Sequence, residues 1–152
     1  VVASFGASKS PIVAIGSQPT PQGAIAIANE EGDIWVSDPR RARTQPSAIS
    51  AISSADLLSD SSCLYAIDSH RGSLSSLALH ASSPLLATAS RAQFIKLYDV
   101  AAAGREILTI RYFDGFLGPR IGPVSCLCFH PTKRILAAGS SDATLSIYAA
   151  DI

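Results

Sequence analysis

Three features that define common classes of protein are scarce in this 152-residue sequence. Cysteine occurs only three times, and an odd, sparse number does not suit a disulfide framework, so we expect a reducing compartment. Charge is low and balanced, with 12 basic and 12 acidic residues, which argues against a nucleic-acid surface or an electrostatic membrane anchor. No apolar run approaches the roughly 18 residues that a membrane span needs. Hydrophobic residues make up 47% of the chain, so we expect a folded protein. From the charge balance we expect no nucleic-acid partner, and from the lack of a long apolar run we expect no membrane insertion.

The sequence contains an internal repeat. Residues 72–98 match the stretch fifty positions further on, which begins "GPVSCLCFHP", without a gap. A third, weaker copy lies at 24–38 and aligns with 85–99. The identical pairs at the fifty-residue offset are Gly72/Gly122, Ser75/Ser125, Leu77/Leu127, His80/His130, Leu86/Leu136, Ala87/Ala137, Ser90/Ser140 and Tyr98/Tyr148.

Each copy reads as a set of short strands. Apolar runs of four to seven residues are bounded by turn sequences such as "HPTK" and "SSDA", and these runs are too short for helices. Runs such as "ILAAGS" and "LLATAS" are small and apolar on both faces, so each sheet needs cover on both sides. Radial stacking of such sheets is the principle of a β-propeller, so we predict an all-β fold of the WD40 type.

The repeats predict about three blades, over residues 10–67, 70–113 and 119–152. The outer strands of the first two would be 63–67 and 106–113, whereas the last copy has no fourth strand, which an N-terminal segment would have to supply. Because propellers typically have four to eight blades, three do not close a ring. The chain is therefore predicted to be part of a larger propeller or a self-assembling fragment, and we favour the first.

A diluted WD-repeat signature accompanies the strands. The complete signature has an aspartate in the turn between the second and third strands and a serine in the second strand. It also has an aromatic residue followed by aspartate at the end of the third strand. In the middle copy Ala92 replaces the turn aspartate, and "SHRG" at 69–72 is a remnant of the Gly-His pair. The residues that we predict to be structural in the blades are Ser140, Asp142, Tyr148, Ser90, Tyr98 and Asp99.

One segment is less generic than a WD repeat. The stretch "IRYFDGFLGPRIGPVSCLCFHPTKRILAAGSSDATLSIYA", residues 110–149, closely resembles the C-terminal end of the raptor family, the regulatory-associated proteins of the TOR kinase. The long linker "YFDGFLGPRIG" at 112–122 carries the resemblance, and "QFIKLYD" and "GDIWVSDPR" are similar in the same order. The resemblance implies that residues 1–152 form the C-terminal part, the last three blades, of a seven-bladed WD propeller.

The resemblance also implies a function. Raptor-like proteins are non-catalytic scaffold subunits of TOR complex 1, which act in nutrient-responsive control of cell growth. The implied partners are the TOR kinase, other complex components and the rest of the chain's own propeller. The implied location is the cytoplasm, with peripheral attachment to the lysosome or vacuole surface through partners. The alternative is a generic WD40 adaptor, such as a substrate receptor of a ubiquitin ligase.

Two segments are candidates for partner contact. An apolar cluster in the long linker either packs on its blade or faces a partner, with arginines at its rim. The Ser-rich stretch 47–62 is either a flexible insertion or a contact that phosphorylation switches by adding charge. The residues of the candidate contact loop are Tyr112, Phe113, Phe116, Leu117 and Arg120.

We predict no catalytic residue, cofactor or metal. Cys126, Cys128 and His130 share one face of a strand, but ligands spaced about 7 Å apart along a strand do not converge on a tetrahedral ion. His80 and His130 occupy equivalent repeat positions, which indicates a structural role. The glycines of the long linker lack the spacing of a phosphate-binding loop.

Overall fold

The computed structural model describes residues 10–19, 23–41, 63–70, 74–92, 94–111 and 122–150. Within these ranges the chain forms three antiparallel sheets and one short 3-10 helix, so the predicted all-β fold is confirmed. The four strands of the first sheet are β1 (Ile12–Ser17), β2 (Ile25–Asn29), β3 (Asp33–Ser37) and β4 (Cys63–Asp68). The 3-10 helix, Pro39–Arg41, follows β3.

The other two sheets repeat this arrangement, and we call the sheets blades 1 to 3 in chain order. Each described blade is a simple meander in which neighbours in sequence are neighbours in the sheet. The strands of blade 2 are β5 (Leu74–Leu79), β6 (Leu85–Ser90), β7 (Phe94–Asp99) and β8 (Arg105–Arg111). Those of blade 3 are β9 (Val124–Phe129), β10 (Ile135–Ser140) and β11 (Leu145–Ala149).

The outer strands lie where the repeats predicted them. β4 pairs with β3, and β8 pairs with β7 as the fourth strand of blade 2. Blade 3 has three strands among the described residues, and its sheet ends at β11. An unpaired strand edge presents a row of backbone donors and acceptors, so β11 is open to a further strand.

The blades are stacked through their first strands, because β1 contacts β5 and β5 contacts β9. Side chains of blades 1 and 2 form one apolar cluster, and those of blades 2 and 3 form a second. The buried members of the first are Ala24, Ala26, Ala28, Ile34, Val36, Ile67, Leu74, Leu77, Leu86, Tyr98 and Val100. Those of the second are Ala87, Ala89, Ile95, Val124, Leu136 and Ala138. Blade 2 is therefore covered on both faces, as its small apolar residues require.

The turn between β2 and β3 anchors the chain that enters blade 2. Asn29 Oδ1 accepts the backbone N–H groups of Gly32 and Asp33, at 3.0 and 2.8 Å, and so closes the turn. The carbonyl of Gly32 accepts hydrogen bonds from both the N–H and the hydroxyl of Ser69, at 3.0 and 2.7 Å. Gly32 has a φ of 101°, and a Cβ placed there would overlap the backbone of His70. The turn therefore needs glycine both for its conformation and for this close approach.

We expect Gly32→Ala to destabilise the domain strongly. The left-handed conformation alone costs an alanine about 1–2 kcal/mol, and relieving the overlap adds about 1–3 kcal/mol. Gly23→Ala is the matched control, because Gly23 also has a positive φ, of 60°, but a Cβ there meets only ordinary contacts with Arg40. Urea unfolding of both variants measures the difference, and equal losses of stability would contradict the close-packing explanation.

Candidate interaction site

In blades 2 and 3 the turn between the first and second strands is closed by a side chain. We call it the first turn, and it covers residues 80–84 in blade 2 and 130–134 in blade 3. His80 Nδ1 accepts the backbone N–H groups of the residues two and three positions on, at 3.1 and 2.9 Å. His130 Nδ1 accepts the equivalent pair at 3.2 and 3.0 Å. The repeated histidines therefore cap turns, and because Nδ1 accepts hydrogen bonds, the ring proton of each lies on Nε2.

A buried polar group lies at the opposite end of blade 2. His70, in the connection between blades 1 and 2, places Nε2 at 2.9 Å from Thr88 Oγ1 on β6. Burial, and next the charge of Lys96, lower the pKa of His70 to about 4, so its ring is neutral near pH 7. Tyr98, on β7, is buried in the same region, and burial raises the pKa of its phenol. This group is what remains of the WD signature in the middle copy.

The turn aspartate of blade 3 closes a different contact. Asp142 accepts the N–H of Gly122, ahead of β9, at 2.6 Å. It also accepts the hydroxyl of Thr144 at 2.6 Å and its N–H at 3.1 Å. The Thr144 hydroxyl, and next the Gly122 N–H, lower the pKa of this carboxyl. Asp142 therefore ties the start of its own blade to the turn between β10 and β11.

The other residues predicted to be structural occupy varied positions. Ser90 and Ser140 are buried, but among the described residues neither hydroxyl has a hydrogen-bond partner, and Thr88 makes the contact with the histidine instead. Asp99 accepts the backbone N–H groups of the two exposed alanines that follow Val100, at 2.9 and 3.2 Å. Tyr148 packs against the cluster between blades 2 and 3.

A cavity of about 460 Å³ opens beside His70. In blade 2 the position of Asp142 is taken by Ala92, which offers no carboxylate to close the equivalent space. Both a positive and a negative charge lie at its edge, because Lys96 Nζ is 3.2 Å from Glu106 Oε2. The residues that line the cavity are Asp68, Ser69, His70, Ser90, Ala92, Phe94 and Lys96.

Both end faces of the described stack are apolar and exposed. On the far face of blade 3, Leu145 and Ile147 are 68% and 65% exposed, beside Cys126 and Cys128 on β9. On the far face of blade 1, Ile15 is 66% exposed. These faces are apolar surfaces that a further protein element could cover.

The predicted contact loop and the Ser-rich segment lie outside the described residues. Arg111, at the end of β8, and Gly122, ahead of β9, flank the loop. Partner contact by Tyr112, Phe113, Phe116, Leu117 and Arg120 stays a prediction.

Cys126 and Cys128 on β9 and His130 directly after it are the residues that the sequence raised as metal ligands. Cys126 and Cys128 are exposed, and the Nδ1 of His130 is engaged by its turn. No cluster of three or more His, Cys, Asp or Glu residues within the described part of the chain could hold a metal ion. No helix in that part is long and apolar enough to cross a membrane.

The comparisons with known proteins agree with this architecture. Residues 61–99 and 116–148 match the model of the family "WD domain, G-beta repeat". The "Regulatory-associated protein of TOR 2" of Oryza sativa subsp. japonica is 40% identical over 143 residues, which cover 92% of this chain and 9% of that protein.

The chain belongs to the raptor family. It is 46% identical over 85 residues to the "Regulatory-associated protein of TOR 1" of Arabidopsis thaliana, covering 56% of the chain and 6% of that protein. It is 38% identical over 77 residues to the "Target of rapamycin complex 1 subunit mip1" of Schizosaccharomyces pombe, covering 49% and 6%. The raptor-family chain thus spans less than a tenth of the length of these relatives.

A solved structure shows the same fold. The crystal structure of Chaetomium thermophilum Raptor superposes with a TM-score of 0.69 at 21% identity, over 95% of the raptor-family chain and 12% of the other. This agreement supports the assignment of the three sheets to part of a β-propeller.

We expect Thr88→Val to destabilise this raptor-family domain by about 1–3 kcal/mol, because it leaves the buried ring nitrogen of His70 without its hydrogen bond. Thr109→Val, at the outer strand β8, is the control, and there we expect a change within about 0.5 kcal/mol. Denaturant unfolding followed by tryptophan fluorescence measures both. A Thr88→Val loss no larger than that of the control would show that the hydrogen bond does not stabilise the blade.

The stability of the raptor-family domain should fall as the pH drops from 6.5 towards 4. The unfolded state takes up a proton on His70 near its ordinary pKa of 6.5, whereas the folded state does so only near pH 4, so acid favours unfolding in this interval. His70→Gln does not titrate, and we expect a flatter dependence of its unfolding free energy between pH 6.5 and 5. The lowered carboxyl pKa values of Glu106 and Asp142 place their effects below this range. Parallel curves for the two proteins would exclude His70 as the cause.

Proposed function

We propose that this chain is a non-catalytic protein-interaction region of a TOR complex 1 component. The observation that carries the proposal is the 40% identity over 92% of the chain to a regulatory-associated protein of TOR. The name of the fission yeast relative, a subunit of target of rapamycin complex 1, supports the same complex. Because the chain spans only 6–9% of the length of these relatives, its role within a larger protein is inferred.

The architecture suits a scaffold. Blade 2 is covered on both faces, and its turns are fixed by buried or capped contacts, so the connecting segments start and end at defined positions. Loops held by a rigid framework commonly carry binding function. The connection between β8 and β9 contains three aromatic residues, and aromatic residues are enriched at the centre of protein interfaces. We therefore propose that residues 112–122 contact a protein partner.

The proposed partners are the TOR kinase or other components of the complex. The proposed location is the cytoplasm, with recruitment to the lysosome or vacuole surface through those partners. Phosphorylation within 47–62 is proposed to modulate a contact, since a phosphate adds charge to a stretch rich in serine. Phosphopeptide mapping across growth conditions tests this last point, and unmodified serines throughout would contradict it.

Affinity purification of the full-length parent tests the function. We expect the TOR kinase to co-purify, and failure to recover it under mild lysis would contradict the assignment. Recovery of a ubiquitin ligase core instead would establish the rival adaptor function.

A double variant tests the loop in the same experiment. Phe113→Ser with Phe116→Ser in the full-length parent should reduce recovery of one component several-fold, because hot-spot aromatic side chains contribute about 2 kcal/mol or more each. Ala101→Ser, in the exposed turn after β7, is the matched control and should leave recovery unchanged. Unchanged recovery for the double variant would assign the aromatic cluster to packing on its own blade.

A further inference from the structure

The turn between the second and third strands differs between blades 2 and 3 by one carboxylate. In blade 3 Asp142 occupies this turn, and its Oδ2 accepts the N–H of Gly122, ahead of β9, at 2.6 Å. Ala92 stands at the equivalent position of blade 2, fifty residues earlier, and its methyl group accepts no hydrogen bond. The cavity of about 460 Å³ beside His70 is lined in part by Ala92. Blade 2 therefore has a cavity at the end of the blade where blade 3 holds an acidic side chain.

Two polar side chains at this cavity have unused hydrogen-bonding capacity. His70 is 6% exposed and uses Nε2, at 2.9 Å from Thr88 Oγ1, whereas its Nδ1 has no partner within the described ranges. Ser90 is 1% exposed, and its hydroxyl has no partner in those ranges either. Ser140 in blade 3 shares that lack, so the difference between the two blades is the carboxylate and not the serine. Because a buried polar group without a partner costs free energy, both groups favour a ligand that supplies one.

The sheet gathers the groups around the cavity on one face of blade 2. Thr88 pairs with Lys96 in the register of β6 and β7, and Ser90 and Phe94 lie two residues from them along the same strands. Side chains two residues apart share a face, so these four lie on one side of the sheet. Tyr98 continues this face into the apolar cluster shared with blade 1. The cavity is therefore built on ordered strands as well as on the connection that carries His70.

The charges around His70 favour an anion. After burial, the charge of Lys96 lowers the pKa of His70 most, while Glu106 acts in the opposite direction with a smaller effect. The Lys96 side chain is also the more buried member of this ion pair, at 26% exposed against 44% for Glu106. Asp68 lines the cavity too, but it is exposed, and water weakens the effect of an exposed charge. The balance of charge at the buried ring is therefore positive.

We propose that the cavity beside His70 binds the carboxylate of an acidic side chain from a protein partner, which accepts hydrogen bonds from His70 Nδ1 and Ser90 Oγ. The ligand carboxylate thus supplies to blade 2 the group that Asp142 supplies to blade 3. With an acceptor at Nδ1, the ring carries its proton there, and the Thr88 hydroxyl donates to Nε2. Phe94 is 36% exposed and lines the cavity, so its ring contacts the apolar part of the entering side chain.

The size and place of the cavity fit this occupant. Its volume is near the lower end of the roughly 300–1,000 Å³ of ligand pockets, which suits a side chain and its neighbours and not a folded element. The cavity opens at the end of blade 2 opposite the first turn, beside the exposed residues Asp68 and Ala92. Connections at the ends of a rigid framework commonly carry binding function. The proposal depends on the fold of blade 2 and does not require the TOR complex.

Peptide binding by the purified full-length parent protein tests the site. An array of short peptides carries Asp, Glu, Asn, Gln or phosphoserine at one fixed position between randomised neighbours. The acidic sequences that bind best are then titrated by fluorescence anisotropy beside their Asn or Gln counterparts. We expect the native parent to bind the acidic member of each pair at least about tenfold more tightly, because hydrogen bonds to a charged acceptor are the stronger ones.

Substitution of the turn residue gives the decisive comparison. Ala92 is exposed, so the fold tolerates a longer side chain there. Ala92→Asp restores a carboxylate within the chain, which competes for the same donors, and it should weaken binding of the acidic peptides at least about tenfold. Ala92→Asn accepts without a charge and should weaken binding only about threefold, since neutral hydrogen bonds are roughly half as strong as charged ones. Ala102→Asp adds the same charge in the exposed turn at the other end of blade 2 and should leave the affinity unchanged.

Two charge variants should act in opposite directions. Lys96→Gln should weaken binding of the acidic peptides by about two- to fivefold, the range expected for a partly exposed charge. Asp68→Asn should strengthen it by a similar factor, because it removes a like charge from the lining of the cavity. Both effects should shrink at high salt.

Four results would overturn the proposal. Equal binding of acidic and amide peptides by the native parent would do so, and this is the result expected if a carboxylate of the parent itself fills the cavity. An acidic preference that survives Ala92→Asp would place the binding at another site. Equal losses for Ala92→Asp and Ala102→Asp would reduce the effect to general charge repulsion. Tighter binding of phosphoserine peptides than of their Asp counterparts would assign the site to a phosphate.

Loss of binding in Ala92→Asp, with retention in Ala92→Asn and Ala102→Asp, supports the proposal. The outcome is separable from the test of the proposed function. A failed TOR kinase pull-down would leave the peptide result unaffected, and a failed peptide titration would leave the TOR complex 1 assignment unaffected.

Discussion

The structure depends on one constraint, which is that each blade is apolar on both faces. The alternation of apolar and polar residues that marks a one-sided sheet is absent from "LLATAS" and "ILAAGS". Blade 2 satisfies the constraint with one apolar cluster on each side, and its β6 side chains are almost all buried. Within the part of the chain that the structure describes, blades 1 and 3 satisfy it on one side only. At roughly 25 cal/mol per Å² of apolar surface, covering the remaining faces is a strong driving force for further assembly.

Apolar burial holds the blades together, and polar contacts fix the geometry of their turns and connections. They are concentrated at the strand ends, where buried backbone groups would otherwise lack partners. Two histidines cap turns, Asn29 closes another, and Asp142 ties a connection to its blade. The stack therefore combines non-directional apolar packing between the middles of the strands with directional hydrogen bonds at the strand ends. This division explains why the WD signature can decay so far without loss of the fold.

Membership of the raptor family adds a context that the fold alone does not supply. WD propellers serve many functions, and function resides in the loops and faces that they display. Among the described residues the displayed features are a cavity beside His70 and two end faces. The aromatic segment that follows β8 is a further candidate from the sequence. The apolar end faces could be covered by further sheets, whereas the aromatic segment is proposed to contact another chain. On that proposal, the end faces contribute to the stability of the assembly and the aromatic segment to the recognition of partners.

The sequence by itself determined the all-β fold and most of the strands, because local apolar runs and turn residues are encoded within a few positions of one another. It also indicated the structural role of His80 and His130 through their equivalence in the repeat. It began blade 1 at residue 10 without naming β1 as a strand, and it placed the signature serine at Ser90, whereas the contact with His70 is made by Thr88. Only the tertiary structure decided that Gln18 and His80 each bond a backbone carbonyl in the first turn of the next blade, since these carbonyls, of Ser83 and Lys133, lie 65 and 53 residues away and no local pattern records them. Hydrogen bonds between blades depend on how two sheets are placed in space, and that placement follows from packing across the whole stack.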